Sequence, residues 1–257
     1  MKKNEDSYEL FSEYYDIVIS ETLQSEINFL DSLFKLFGKN IKNILDLGCG
    51  TATHAVSLEK IGYRITCCDI SDSMLKIAKQ KIEKSNSKIR LFKHDMKTIR
   101  INGKFDAAIA LSRAFQHMMS DSDVKKTLRN ISNHLKLGGL FVCELHNYQS
   151  RKHGIYSRMV PLYFSKNHHK KVAIFGIDDE DYTKRIAQRI YLLLKQKSNK
   201  TSFDFNSMNF RIWSVDEMKI FLGKEGFDIL DVYGDFDLNQ KFTEQSDTMI
   251  FVCKKVK

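Results

Sequence analysis

The chain has 257 residues, 42% of them apolar and 11% aromatic, which suits one sizeable globular α/β domain or one domain with an elaboration. No apolar run approaches the roughly 18 residues of a membrane-spanning helix, and no apolar signal core follows the N-terminal lysines, so we expect a cytoplasmic protein. The net charge of +9 comes mostly from scattered lysines, with one cluster at residues 166–171, and alone it does not indicate a nucleic-acid partner.

The first half of the chain alternates between strand and helix patterns. Residues 8–37 carry apolar residues at helical spacing, and Gly38 follows as a plausible C-cap. Strand and helix patterns then succeed one another from NILDLG to GLFVCEL, with TATHAVSLEKIG, SDSMLKIAKQKIEK and DSDVKKTLRNISNHLK as the helices. Strands separated by helices of this length predict parallel crossovers, and therefore an open α/β sheet with helices on both faces.

After this alternation the pattern changes to consecutive strands. KVAIFGI, KRIAQRIYLLLK and KTSFDFNSMNFRIW have no helix pattern between them, which predicts an antiparallel meander. The apolar spacing of RIAQRIYLLL also fits a helix, but we predict a strand. Ser214 and Glu217 form a capping-box pattern that starts a helix ending at Gly226, and DILDVYG and TMIFVCK close the chain as strands.

A glycine-containing loop between the first strand and its helix is the strongest candidate for a ligand site. Gly48 and Gly50 let the backbone turn sharply and let a ligand lie against the main chain, at the start of a helix with unpaired N–H groups. Thr53 stands where a dinucleotide-binding loop has its third glycine, which disfavours a pyrophosphate. Asp69, about twenty residues on, can accept hydrogen bonds from ribose hydroxyls, and Asp46 suits a ligand with a cationic amine.

The motifs DLGCGTAT, CDIS, HDM, FDAAIALS and HLKLGGLFVCEL, in this order, resemble those of class I S-adenosylmethionine (SAM)-dependent methyltransferases. The resemblance is good over residues 41–146, and the closing segment resembles the family's final antiparallel strand pair. It implies a Rossmann-like methyltransferase sheet with helices on both faces, an N-terminal helical lid at 1–40 and a methyltransferase domain at 41–257. Within that domain, residues 147–212 would form an inserted antiparallel β subdomain.

The resemblance also implies SAM as cofactor, S-adenosylhomocysteine as product, and a role for each motif residue. Asp46, Gly48 and Gly50 should hold the methionine portion of SAM, and Asp69 its ribose hydroxyls. The adenine and the sulfonium should be contacted by a second set, namely Ile70, Asp95, Met96 and Leu111. Asp95 has the alternative of a helix N-cap. Among Tyr8, Tyr14 and Tyr15 of the lid, we expect one, Tyr15, to close over the cofactor.

His117 is the candidate catalytic residue. It follows the fourth strand in LSRAFQHMM, at the sheet edge where open α/β folds bind ligands, and a neutral imidazole can accept a proton from an amine. A structural histidine is the alternative. The segment SRAFQHM resembles that of small-molecule N-methyltransferases, including those that act on amino sugars. Arg113 departs from the small or hydroxyl residue expected there, and it suits an acidic substrate group.

We predict a small-molecule acceptor, methylated at nitrogen, with methylation at oxygen as the alternative. The sequence also leaves open an RNA methyltransferase, an NAD-dependent oxidoreductase and a cofactor-binding subunit without catalysis. The five cysteines show no zinc-ligand spacing and the strand ends carry no set of Mg²⁺ ligands, so no metal is expected. No membrane or nucleic-acid partner is expected either. A homodimer through the inserted sheet is implied by the resemblance.

Overall fold

The computed structural model describes residues 8–9, 11–19, 22–38, 40–147, 158–166, 170–197 and 200–257. Within these ranges the helices are α1 (Ser12–Ile19), α2 (Leu23–Phe37), α3 (Thr53–Lys60), α4 (Asp72–Lys84), α5 (Asp121–His134) and α6 (Val215–Lys224). The strands are β1 (Asn43–Leu47), β2 (Arg64–Asp69), β3 (Arg90–Lys93), β4 (Phe105–Ala110), β5 (Leu135–His146), β6 (Arg158–Lys166), β7 (Lys170–Asp181), β8 (Ile186–Lys197), β9 (Lys200–Arg211), β10 (Phe227–Tyr233) and β11 (Thr248–Lys255).

A seven-stranded sheet in the order β10-β11-β5-β4-β1-β2-β3 forms the centre of the described structure. The strands β1 to β5 pair in parallel, and β11 pairs antiparallel with β5 and β10. The apolar runs of β1 and β4 are buried on both faces, as parallel strands covered by helices require. One hydrophobic core lies on each face of the sheet. The predicted Rossmann-like class I architecture is confirmed.

Three of the described helices begin at a serine that caps them with its side chain. Ser71 Oγ accepts from Met74 N, and Ser120 Oγ accepts from Asp123 N. Ser214 Oγ accepts from Glu217 N at 3.2 Å, as the capping-box pattern predicts. These caps supply acceptors for helix N–H groups that have no intrahelical partner, so the serines fix where α4, α5 and α6 begin.

The N-terminal segment is two helices, where the sequence predicts one continuous helical pattern. Phe11, directly before α1, and Tyr14 of α1 pack against the inserted sheet, whereas α2 packs on the central sheet through Leu30 and Leu33. The two helices therefore bury their apolar residues in different cores. Thr22, the residue before α2, donates from its hydroxyl to Glu26 Oε1 at 2.6 Å.

The inserted segment forms a four-stranded antiparallel sheet in the order β6-β7-β8-β9. The strand predicted for RIAQRIYLLL is β8, with Ala187, Tyr191 and Leu193 buried on its inner face. The strand β6 is an addition that the sequence pattern does not predict. Phe203 and Phe205 of β9 are 65% and 62% exposed. The homodimer through this sheet stays a prediction, as do the domain boundaries.

No helix of the described residues is long and apolar enough to cross a membrane. The five cysteines are buried and unpaired by disulfides. Across the same described residues, no group of His, Cys, Asp and Glu side chains is arranged to hold a metal ion.

Candidate active site

A cavity of about 290 Å³ lies at the carboxyl ends of the parallel strands, beside the N-terminal helix. Open α/β sheets bind ligands at this edge. The cavity is lined by residues from the glycine loop, the ends of β2, β3 and β4, and the N-terminal segment, namely Tyr8, Tyr15, Gly48, Gly50, Asp69, Ile70, Ser71, Met74, His94, Asp95, Met96, Lys97, Ser112, Ala114, His117 and Met118. Eight of the ten sequence-predicted site residues are among them: Tyr15, Gly48, Gly50, Asp69, Ile70, Asp95, Met96 and His117.

The glycine loop needs its glycines for conformation and for space. Gly48 and Gly50 have φ of +70° and +54°, in the left-handed region. A Cβ on Gly48 would lie 2.6 Å from the Cβ of Ala114, so only glycine lets the loop approach the segment after β4. The Gly48 amide donates to the carbonyl of Cys68 at 2.8 Å, which ties the loop to β2.

Asp69 ends β2 at the edge of this cavity. Its Oδ2 accepts from Gly50 N at 2.8 Å and its Oδ1 accepts from Ser71 N at 2.9 Å. The carboxylate is therefore held between the glycine loop and the start of α4. Ile70, the next residue, is 63% exposed although it is apolar, and it gives the cavity an apolar wall.

Asp95 and Met96 form another wall, after β3. Oδ1 of Asp95 accepts from Lys97 N at 2.9 Å, and the Asp95 carbonyl accepts from Thr98 N at 2.9 Å. These bonds close a turn, and no helix begins after Asp95, so the alternative of a helix N-cap is wrong. Met96 is buried beside it.

Asp46 and Leu111 line a smaller space of about 10 Å³ behind the glycine loop. Tyr15 and Gly48 border both spaces, so the two are neighbours. Asp46 is 3% exposed, and its Oδ2 has no hydrogen-bond partner in the described part of the chain. Burial raises the pKa of Asp46 to about 7, although the nearby His54 lowers it. A buried carboxylate oxygen without a donor is costly, and this one lies beside the loop where a ligand would bind.

His54 and Glu26 are site neighbours that the sequence does not predict. Nε2 of His54 is hydrogen-bonded to Oε2 of Glu26 on α2, and His54 lines the small space with Asp46. Burial disfavours the imidazolium, but the bond and the charge of Glu26 raise the pKa of His54. The sequence offers one signal for this contact: His54 is the second residue of α3, the helix that follows the glycine loop.

His117 ends a 3₁₀-helix, Ala114–His117, directly after β4. Its Nε2 lies 2.8 Å from the hydroxyl of Tyr8, and its ring centroid is 4.8 Å from that of Phe210 on β9. Burial, together with the charge of Arg113, lowers the pKa of His117 to about 4. Burial raises the pKa of Tyr8, so the phenol keeps its proton. A neutral imidazole and a neutral phenol therefore face the cavity at neutral pH.

The loop between β4 and this 3₁₀-helix has an unusual backbone. Ser112 and Arg113 have φ of +50° and +66°, a region that non-glycine residues rarely occupy. The Ser112 amide donates to Oε2 of Glu144, near the end of β5, and burial raises the pKa of Glu144. The buried carboxyl thus fixes the loop that positions His117. Nothing in the sequence pattern indicates this contact.

Asp16 connects α1 to the glycine loop. This carboxylate accepts hydrogen bonds from Thr51 and from Thr53 (2.7 Å), and it pairs with Lys81 Nζ on α4 at 2.6 Å. Burial opposes its ionisation, but these donors lower the pKa of Asp16. The arrangement holds the preceding residue, Tyr15, over the loop.

Comparisons with known proteins agree with this geometry. A family model described as a methyltransferase domain matches residues 44–139. A putative methyltransferase of Geobacillus sp. (strain WCH70) is 26% identical over 251 residues, which cover 97% of this chain and 100% of that protein. A glycine/sarcosine N-methyltransferase of Halorhodospira halochloris is 26% identical over 215 residues, which cover 82% of this chain and 75% of the relative.

Two solved structures share the fold. A SAM-dependent methyltransferase from Clostridium acetobutylicum ATCC 824 superposes with a TM-score of 0.82 at 20% identity, covering 98% of this chain and 100% of the Clostridium chain. The SAM-bound amino pentose methyltransferase CalS10 from Micromonospora echinaspora superposes with a TM-score of 0.73 at 17% identity, covering 91% of both chains. The individual roles predicted for the site residues stay predictions.

Proposed function

We propose that this chain, a SAM-dependent methyltransferase with the class I fold, methylates an amine nitrogen of a small molecule. The observation that carries the proposal is the neutral His117, bonded to Tyr8 at 2.8 Å, in the same cavity as the glycine loop and Asp69. Relatives that include glycine/sarcosine N-methyltransferases support nitrogen as the acceptor atom.

The residues around the glycine loop fit SAM. The unpartnered Oδ2 of Asp46 suits the ammonium of the methionine portion, and Asp69 at the end of β2 suits ribose hydroxyls. For the adenine, the cavity offers the apolar Ile70 on one wall and Met96 with Asp95 on another. When bound, SAM supplies an electrophilic methyl group on a sulfonium. Three aspartates so close together disfavour the pyrophosphate of NAD, because like charges repel.

His117 suits an acceptor amine better than a hydroxyl. A protonated amine has no lone pair to donate, and an alkyl amine at neutral pH costs about 1.4 kcal/mol per pKa unit to deprotonate. An imidazole with a pKa of about 4 is a weak base, but it stays unprotonated, and in the tautomer whose Nε2–H donates to the Tyr8 hydroxyl its Nδ1 can accept a hydrogen bond from the amine. It would orient the amine lone pair. Deprotonating an alcohol or phenol would need a stronger base.

A cofactor-consumption screen tests the proposal. The purified full chain is incubated with SAM and with a panel of primary and secondary amines, phenols, carboxylates without an amine, and transfer RNA, and S-adenosylhomocysteine formation is followed. We expect product only with amines, and methyl on nitrogen by mass spectrometry. Turnover confined to phenols or to RNA would replace the proposal by O-methylation or by RNA methylation. Tight SAM binding without turnover on any acceptor would indicate a non-catalytic subunit.

A further inference from the structure

Arg113 is a half-buried cation without an acidic partner in the described structure. Two buried arginines of the chain are paired: Arg189 binds Asp178 at 2.5 Å, and Arg211 binds Glu217 at 2.5 Å. The guanidinium of Arg113 instead lies 5.9 Å from the ring centroid of Phe210, as a cation–π contact. The carboxylates that stabilise Arg189 and Arg211 therefore have no counterpart among the described residues at this position.

Arg113 and His117 lie against the same aromatic ring. Both pack against Phe210, with the imidazole centroid at 4.8 Å from the ring centroid. The charge of Arg113 also lowers the pKa of His117, which is consistent with their proximity. His117 and Tyr8 both line the 290 Å³ cavity, and the charge of Arg113 acts on both of them, although Arg113 itself is not among the lining residues.

No carboxylate of the described residues forms an ion pair with this cation, although the charge of Arg113 does lower the pKa of Glu144. Glu144 lies near the end of β5, where its Oε2 accepts from Ser112 N, and burial raises its pKa in spite of the charge of Arg113. The sequence between Glu144 and Asp178 contains no acidic residue, so the segment that leads into the inserted sheet adds none. A guanidinium cannot lose its proton in a protein, and its fork of donors matches a carboxylate in a bidentate pair.

We propose that Arg113 binds a carboxylate of the acceptor, so that the substrates are amines that carry a carboxylate. This inference rests on the proposed N-methylation and adds the substrate class. Arg113 binds the acid while His117 faces the amine, and both groups pack on Phe210. The cation selects amino acids and their N-methyl derivatives over neutral amines.

The test uses matched acceptors that differ only in the carboxylate: glycine with glycinamide, and sarcosine with its amide. For the parent enzyme we expect kcat/KM about 10- to 100-fold higher for the acids, the scale of a charge-assisted hydrogen-bonded pair. Arg113→Gln should abolish this preference by raising KM for the acids with little change in kcat. Arg113→Lys should recover part of it, since the charge remains but the fork is lost. Arg64→Gln, at the opposite edge of the sheet, is the control for the lost charge.

A second readout does not depend on turnover. Titration with sodium acetate should shift the NMR signals of the His117 imidazole in the parent and not in Arg113→Gln, with folding checked by circular dichroism. Equal turnover of acids and amides in both proteins would overturn the inference and leave N-methylation intact. Absence of turnover on every amine, acidic or neutral, would overturn the proposed function and this inference with it.

Discussion

Asp16 of α1 and Lys81 of α4 form an ion pair of 2.6 Å directly beside the glycine loop. The same carboxylate accepts from Thr53 at the start of α3. One side chain therefore connects α1, the loop and α4. Since Tyr15 precedes it and borders both spaces of the site, the position of this ring depends on the pair.

We predict that Asp16→Ala weakens SAM binding about 5- to 20-fold with a small change in melting temperature, because a partly exposed pair contributes little to global stability. Calorimetric titration of SAM measures the effect. Glu83→Ala, which removes an exposed pair with Lys79 on the same α4, is the matched control. Deletion of residues 1–16 should weaken binding further. If both changes leave the affinity intact, the N-terminal helix is not a lid.

Asp69→Ala should reduce the free energy of SAM binding by about 1.5–3 kcal/mol, the scale of hydrogen bonds to a charged group. The change removes the predicted ribose partner and the acceptor of the Gly50 and Ser71 amides. Asp72→Ala, three residues on, removes only an exposed pair with Lys93 and serves as control. An unchanged affinity in a folded Asp69 variant would exclude this carboxylate from the cofactor site.

The glycine loop and its aspartates can be predicted because they follow from local rules. A buried apolar run, two glycines and a helix start define the loop of Gly48 and Gly50, and strand ends place Asp69 and Asp95 at one sheet edge. The same rules miss contacts made by tertiary packing. The bond between Tyr8 and His117 joins residues 109 positions apart, and the Glu26–His54 pair joins residues 28 apart on different helices.

The separation of the N-terminal segment into α1 and α2, and the conformation of β8, show a related limit of prediction from local sequence patterns. Apolar residues at helical spacing predict a helix but do not say which core buries it, and α1 and α2 are buried in different cores. The conformation of β8 is ambiguous in the sequence because its outer face also carries apolar residues, Ile190, Leu192 and Leu194. Pairing with β7 and β9 decides its conformation.

The raised pKa of Asp46 predicts that SAM binding is linked to proton release. With a pKa of about 7 in the free protein, the carboxyl is mostly protonated below pH 7 and loses its proton when it binds a cationic ligand group. The affinity should therefore rise up to about tenfold per pH unit toward pH 7 and level off above it. Calorimetry in buffers of different ionisation enthalpy should report about one proton released per SAM at pH 6.

Asp46→Asn is the matched variant for this prediction. It should bind SAM more weakly and without the pH dependence. Because the unfolded carboxyl has its ordinary pKa of 3.8 and the folded one is higher, Asp46 lowers stability as pH rises from about 4 to 7. The variant should thus melt at a higher temperature than the parent at pH 8. Identical pH dependence of binding in parent and variant would contradict the assignment of Asp46 to the methionine portion.

The lowered pKa of His117 makes a prediction about the pH dependence of the rate. An imidazole with its ordinary pKa of 6.5 would protonate below that pH, and the rate would fall with it. Here the pKa is about 4, so His117 is neutral from about pH 5 upward, and any rise of kcat/KM with pH belongs to the acceptor amine. NMR titration of the His117 ring locates its pKa independently of turnover. If the pKa of the His117 ring is instead near 6.5 and coincides with the pH at which kcat/KM rises, His117 acts as a general base.

Replacement of His117 separates its role in the reaction from a role in folding. His117→Asn should bind SAM normally and lower kcat about a hundredfold, because the group that orients the amine is lost. Tyr8→Phe removes only the hydroxyl bonded to Nε2, so it should lower kcat less. Steady-state kinetics with a saturating amine, together with melting curves of both variants, measure the two effects. Normal turnover in a destabilised His117→Asn would make the histidine structural, and alignment of the amine would then depend on the remaining walls of the cavity.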